Sequence, residues 1–321
     1  MLVDAYASAP HYAAHLAPIW DALPVEARGT FWRPPDARYQ WGDMPFLGKR
    51  DIGRLMIVAS WRDAHTMSAN PLVYVEHGAG QTYYGDPVSA GNGSYAGGAG
   101  LEKVRLFICP NDTVAEQWNS TYPDTPTAVV GCPRLDRWHA QPRPQPVGKP
   151  TVAVTFHWEL SLVPETRSAW RYYDPVLPQL SLDDRFDLLG HGHPRLWGTI
   201  KRRWQQLGIE HTPDFDEVLE RADLLVMDNT SAGYEAASVG IPVLVLNAPW
   251  YRRDVHHGLR FWDLPPGIQC DTTDQLADTI MRGLEDPPEA RAMRAAAVAA
   301  VYDRTDGHAA RRAAEAIMEH R

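Results

Sequence analysis

The chain has 321 residues, with 40 acidic against 31 basic side chains, a formal net charge of −9, and 44% hydrophobic and 22% charged residues. That length supports two domains with sizeable cores, and the composition is that of a globular protein rather than a disordered or fibrous one. The negative charge argues against a surface built wholly as a nucleic-acid footprint, and no apolar run approaches the roughly 18 to 20 residues of a spanning helix.

In chain order, Leu2-Val3 opens a strand, and residues 11–23 have helical periodicity up to Pro24. Residues 54–60 (RLMIVAS) and 72–76 (LVYVE) read as buried strands, as do 105–109 and 127–131, with a helix at 113–120 between the last two. The stretch HAQPRPQPVGKP, residues 139–150, holds four prolines and one glycine and reads as a linker. Beyond it come a strand at 152–156, a helix around 165–177, a strand at 186–190 and a helix at 196–207. The segment 222–247, ADLLVMDNTSAGYEAASVGIPVLVLN, is a strand, a polar turn, a short helix stopped at Gly240, and another strand. From Pro287 the chain is rich in Ala and Arg, and Thr305-Asp306-Gly307 marks a break between two helices.

Strands alternating with helices predict parallel sheets with right-handed crossovers. The expected architecture is α/β with two Rossmann-like domains facing a central cleft. The expected domains are residues 1–140 and 151–321, joined by a Pro-rich linker at 141–150. Whether the C-terminal helices pack back on the first domain stays open. Three widely spaced cysteines without a CxxC pair, and an N-terminus without a basic leader, point to a cytoplasmic protein.

Ligands of open α/β sheets sit beyond the carboxyl ends of the strands, so polar residues there are the candidates. Glu76-His77-Gly78-Ala79-Gly80-Gln81-Thr82-Tyr83 follows one strand directly. The imidazole of His77 suits a general base near neutral pH. Gly78, Gly80, Gln81 and Tyr83 would form an acceptor loop, and the glycine-rich residues 86–100 a lid or a plain surface loop. A second strand ends in Gly190-His191-Gly192-His193-Pro194-Arg195, where His193 and Arg195 suit a diphosphate. Thr155 and His157 end a third strand. Asp228, Asn229, Thr230 and Ser231 open the helix of the 222–247 segment, and a helix N-terminus at a strand end can hold phosphate. No carboxylate or cysteine stands at ligand spacing from the His-x-His pair, so no metal site is expected. Neither a P-loop nor a Gly-x-Ser-x-Gly elbow occurs.

These residues resemble the CDP-glycerol glycerophosphotransferase family of teichoic-acid synthesis, within the GT-B glycosyltransferase fold. The resemblance is carried by LLGHGHPR at 188–195 and by 222–245, similar to the family's "aDllitDySS…fe……P.i". Val75-Glu76-His77-Gly78 and the Gly-then-Arg helix after Asp306 add to it. It implies a transferase moving a glycosyl or glycerophosphoryl group from a CDP- or UDP-linked donor to a hydroxyl of a carbohydrate, polyol or other acceptor. It also implies His77 as general base, His193 on the donor diphosphate with Arg195 beside it, Thr230 and Ser231 at the helix start, and Glu235 on the ribose. Asn229-Thr230 and Gln81-Thr82 depart from the serine and lysine usual in the family. The expected reaction is metal-independent, inverting and without a cofactor. A UDP-sugar 2-epimerase of the same fold, a nucleotide-sugar binding protein without catalysis, and a transferase acting on a modified DNA base are the alternatives; the charge disfavours the last.

Overall fold

The computed structural model describes residues 2–34, 53–78, 101–141, 143, 148–159, 164, 167–253 and 262–321. The chain forms two compact units, Met1–Pro142 with Val301–Arg321, and Arg143–Ala300.

The first unit is built on a six-stranded, all-parallel sheet of β1 (Val3–Tyr6), β2 (Arg28–Trp32), β3 (Leu55–Val58), β4 (Leu72–Val75), β5 (Val104–Cys109) and β6 (Thr127–Val129). Their spatial order is β2-β1-β3-β4-β5-β6. The connecting helices are α1 (Pro10–Ala22), α2 (Trp61–Thr66), α3 (Asp112–Thr121) and α4 (Asp136–His139). Side chains of a strand alternate between faces, and the two cores follow that rule. Val3, Leu55, Ile57, Val73, Val75, Leu106 and Ile108 pack with Leu16 and Ile19 of α1. Tyr6, Met56, Val58, Leu72, Tyr74 and Phe107 pack on the other face with Val114 and Trp118 of α3.

The second unit carries another all-parallel six-stranded sheet, ordered β12-β11-β10-β7-β8-β9. Its strands are β7 (Thr151–Thr155), β8 (Asp187–Gly190), β9 (Glu210–His211), β10 (Leu224–Met227), β11 (Val243–Leu246) and β12 (Ile268–Cys270). Its helices are α5 (Trp170–Tyr173), α6 (Leu177–Leu180), α7 (Trp197–Gln206), α8 (Phe215–Arg221), α9 (Ala232–Ser238), α10 (Leu276–Glu285) and α11 (Pro288–Val301). After β9 the order reverses and β10 pairs on the far side of β7, with Met227 opposite Thr155. Such a switch point leaves a crevice at the strands' carboxyl ends.

One expectation needs correction. The single helix at 165–177 is instead α5, a 3-10 turn at Asp174–Val176 and α6. Pro175 and Pro178 each lack the N–H that a continuous helix needs. The terminal helix α12 (Ala309–Glu319) lies in the first unit, the placement left open from sequence. Its buried face of Ala309, Ala310, Ala313, Ala314 and Ile317 is small enough to lie close against α1. The Asp136 carboxylate accepts from the first N–H groups, Ala309 at 3.0 Å and Ala310 at 2.7 Å. Arg312 ties the helix to the Val130 carbonyl at 2.8 Å and to Asp306. The guanidinium holds the Asp306 carboxyl down at about 2. The Gly-then-Arg pattern is therefore a clasp for this helix.

Candidate active site

In the first unit the residues after β4 continue its alternation. Glu76 keeps the parity of Tyr74 and turns toward Trp118 and Cys109, whereas His77 keeps the parity of Val75 and meets α1. Glu76 is buried, and burial pushes its carboxyl up to about 7 although the N–H groups of His77 and Gly78 donate to it. The partly buried His77 ring stands edge-on to Tyr12, centroids 4.9 Å apart, and 6.1 Å from the ring of His15. Burial lowers its imidazole to about 4, opposed only by a bond to the Ala59 carbonyl. His77 is thus neutral at pH 7, one nitrogen held by backbone and the other carrying a lone pair. His15 is buried as well, and burial, then Arg134, His77 and His11, press its proton off. Sequence reasoning missed this surround of His11, Tyr12, His15 and Arg134. The signal lay in His11 and His15, four apart on the helix that follows β1.

Of the acceptor loop, only Gly78 is among the described residues; Gly80, Gln81, Tyr83 and the glycine-rich residues 86–100 lie outside them.

In the second unit the switch-point crevice gathers the polar residues that follow β7, β8 and β10. Asp228 has no exposed surface. Its Oδ1 accepts from the His157 N–H at 2.8 Å, and its Oδ2 from the Ala169 N–H at 3.0 Å and the Ser168 hydroxyl at 3.2 Å. Burial nevertheless raises its carboxyl to about 7. Asp228 therefore fastens the segment after β10 to the segments after β7 and before α5. It is not an N-cap: Ser231 holds that position, with helical backbone and no side-chain cap bond. The Thr230 hydroxyl lies 3.4 Å from the Ala232 N–H. Glu235, in the first turn of α9, is buried.

The two histidines after β8 have different surroundings. His191 is buried and its Nδ1 pairs with the Thr155 hydroxyl at 2.7 Å, so Thr155 and His191 join β7 to β8 inside the unit. The flanking glycines are set by packing. A Cβ on Gly190 would come 2.6 Å from Cγ of Trp204, and one on Gly192 2.7 Å from Cγ2 of Ile200. His193 is partly exposed, and its Nδ1 accepts the Arg195 N–H at 3.1 Å. The neutral ring then carries its proton on Nε2, ready to donate. The His157 ring lies 5.2 Å from it. The exposed Arg195 stacks its guanidinium 4.1 Å over Trp158. Among the described residues, no three His, Cys, Asp or Glu side chains cluster as a metal site. No helix there is long and apolar enough to cross a membrane.

Two doubly wound parallel-sheet units with polar residues at their strand ends define an α/β enzyme fold of the GT-B type, as solved structures bear out. The wall teichoic acid polymerase TagF superposes with a TM-score of 0.63 at 12% identity, over 99% of this chain and 88% of that one. A putative UDP-N-acetylglucosamine 2-epimerase from Listeria monocytogenes gives 0.60 at 15% identity, over 100% and 96%. The UDP-GlcNAc 2-epimerase from Neisseria meningitidis bound to UDP-GlcNAc gives 0.59 at 12%, over 99% of each chain. These likenesses establish the fold. The enzyme class comes from sequence: residues 179–319 match the family described as CDP-Glycerol:Poly(glycerophosphate) glycerophosphotransferase. The chain is a GT-B-type transferase resembling that family. No curated protein matches it in sequence.

Proposed function

We propose that the chain transfers a glycerophosphoryl or glycosyl group from a CDP- or UDP-linked donor to an acceptor hydroxyl, without a metal ion and with inversion. The observation that carries this reading is that the family match at 179–319 spans His193, Arg195 and the 228–235 segment around the second unit's switch point. In this reading Thr230 and Ser231 hold the diphosphate at the start of α9, and Glu235 contacts the nucleotide. The Nε2–H of His193 and the Arg195 guanidinium stabilise charge gathering on the departing phosphate, the work a metal ion does elsewhere. His77 takes the acceptor proton. Burial weakens it as a base, and a nearby anionic substrate restores its proton affinity. The attacking oxygen then bonds to phosphorus or to the anomeric carbon, as the nucleotide leaves with the bonding electron pair. A nucleotide-activated donor fits a cytoplasmic reaction.

A thermal-shift panel of CDP, UDP, GDP, ADP and TDP names the nucleotide, because a ligand of the folded state raises the midpoint. His77→Ala should then abolish turnover of the matching donor while nucleotide binding survives. Wild-type turnover in that variant would sink the assignment. Two of the matched folds are those of UDP-N-acetylglucosamine 2-epimerases, which makes epimerisation the second reading. Isomerisation of UDP-N-acetylglucosamine without an acceptor would favour it.

A further inference from the structure

Asn229 follows Asp228 just beyond the carboxyl end of β10, is 96% buried, and neither its Oδ1 nor its Nδ2 has a hydrogen-bond partner. A buried carboxamide left unpaired destabilises a fold, whereas its neighbour Asp228 is fastened by three donors. The carboxamide needs one donor and one acceptor side by side. A phosphate oxygen would satisfy Nδ2 alone and leave Oδ1 unpaired. A nucleobase edge would satisfy both, but it wants an aromatic platform, and after β7 Phe156 is buried in the core while Trp158 already carries Arg195. Two adjacent hydroxyls meet the requirement without one.

We propose that the Asn229 carboxamide binds a vicinal diol of the donor, one hydroxyl donating to Oδ1 and its neighbour accepting from Nδ2–H. This rests on the donor-site reading above and adds the group that is recognised. A diol of this kind occurs both in the ribose of the nucleotide and in a transferred polyol or sugar.

The test uses the full chain, wild type and Asn229→Leu, with Asn229→Ala as the smaller alternative should the leucine overpack. Removing the unpaired amide should raise the unliganded melting midpoint by about 2–4 °C. Donor affinity, measured by calorimetry, should fall about 10-fold or more. The probes are CDP and UDP, their 2′,3′-dideoxy forms, and CDP-glycerol. If the ribose is the source, the variants lose CDP or UDP affinity while the dideoxy nucleotides bind wild type and variants equally. If the transferred group is the source, the variants bind CDP normally and lose affinity for CDP-glycerol alone. If wild type and both variants bind every probe equally, the proposal is overturned while the donor site stands. A drop in the unliganded midpoint of both variants, with binding intact, overturns it too, because the carboxamide then serves the fold. If no nucleotide binds wild type, the donor-site reading itself fails and takes this proposal with it.

Discussion

The buried carboxyl of Asp228 makes a quantitative prediction about pH. Its ordinary value is 3.8, and in the fold it stands at about 7. A carboxyl whose folded value is raised stabilises the fold fully below 3.8, and that stability is lost as pH rises through about 7. The complete effect is about 4 kcal/mol, and between pH 4.5 and pH 8 about 3 kcal/mol of it is lost. Asp228→Asn is uncharged throughout and removes this dependence while leaving every other titrating group in place. The assay is urea unfolding of both proteins at pH 4.5, 6 and 8, followed by tryptophan fluorescence. Trp204 lies in the core of the second unit and Trp170 packs against it, so both report on it. The stability of wild type minus that of the variant should fall by about 3 kcal/mol from the lowest pH to the highest. The amide will be less stable at low pH, because its Nδ2 must face donors that the carboxyl now accepts from, His157 N–H or Ala169 N–H with Ser168. That offset does not alter the slope. A pH-independent difference, or one that grows with pH, would refute the argument that burial outweighs the three hydrogen bonds.

Gly190→Ala drives a Cβ into the fully buried Trp204 ring and should cost about 1–3 kcal/mol, read as a lower urea midpoint; an unchanged midpoint would mean that α7 withdraws freely. Thr155→Val removes the buried bond to His191 and should lower stability by about 1–3 kcal/mol without changing nucleotide affinity. His193→Ala should do the reverse, keeping the fold and lowering kcat by about 10²–10³-fold, and a Thr155 variant that loses nucleotide instead would reverse the two roles. Exhaustive treatment with a chelator should leave turnover of the wild type unchanged; activity restored only by an added divalent cation would overturn the metal-independent reading.

The parallel strands were legible because their runs are apolar on both faces: 55–58, 72–75, 224–227 and 243–246 all lie inside stretches read from sequence, and 151–155 starts one residue before its stretch. Of the four edge strands only β6 was, inside 127–131. β2 is half-exposed RGTFW and β9 is only Glu210-His211, so neither carries a continuous buried pattern. Helix α12 was legible as a helix, but its unit depends on which surface accepts a stripe of alanines, a tertiary fact. At the site, the strand ends could be picked out as polar, but not which polar residue is spent on the fold. Thr155 read as a candidate at a strand end and its hydroxyl bonds His191, and Asp228 read among the residues that open a helix and instead fastens three segments.

One physical rule explains much of that sorting. A strand hands successive residues to opposite faces, so two adjacent polar residues at its end cannot share an environment. After β4, Glu76 goes to the Trp118 face, where burial holds it at about 7, and His77 to the α1 face, where burial holds it at about 4. The opposite displacements leave the pair near neutral at pH 7: the histidine is uncharged and the carboxyl only partly ionised. A fully ionised Glu76 would draw a proton onto His77 and occupy the lone pair a base needs. After β10, Asp228 is claimed by the loop before α5, and Asn229 is left buried with both polar atoms unspent. In each unit one member of the pair is buried by its own face, and the neighbour is the one that the proposed reading gives to the substrate.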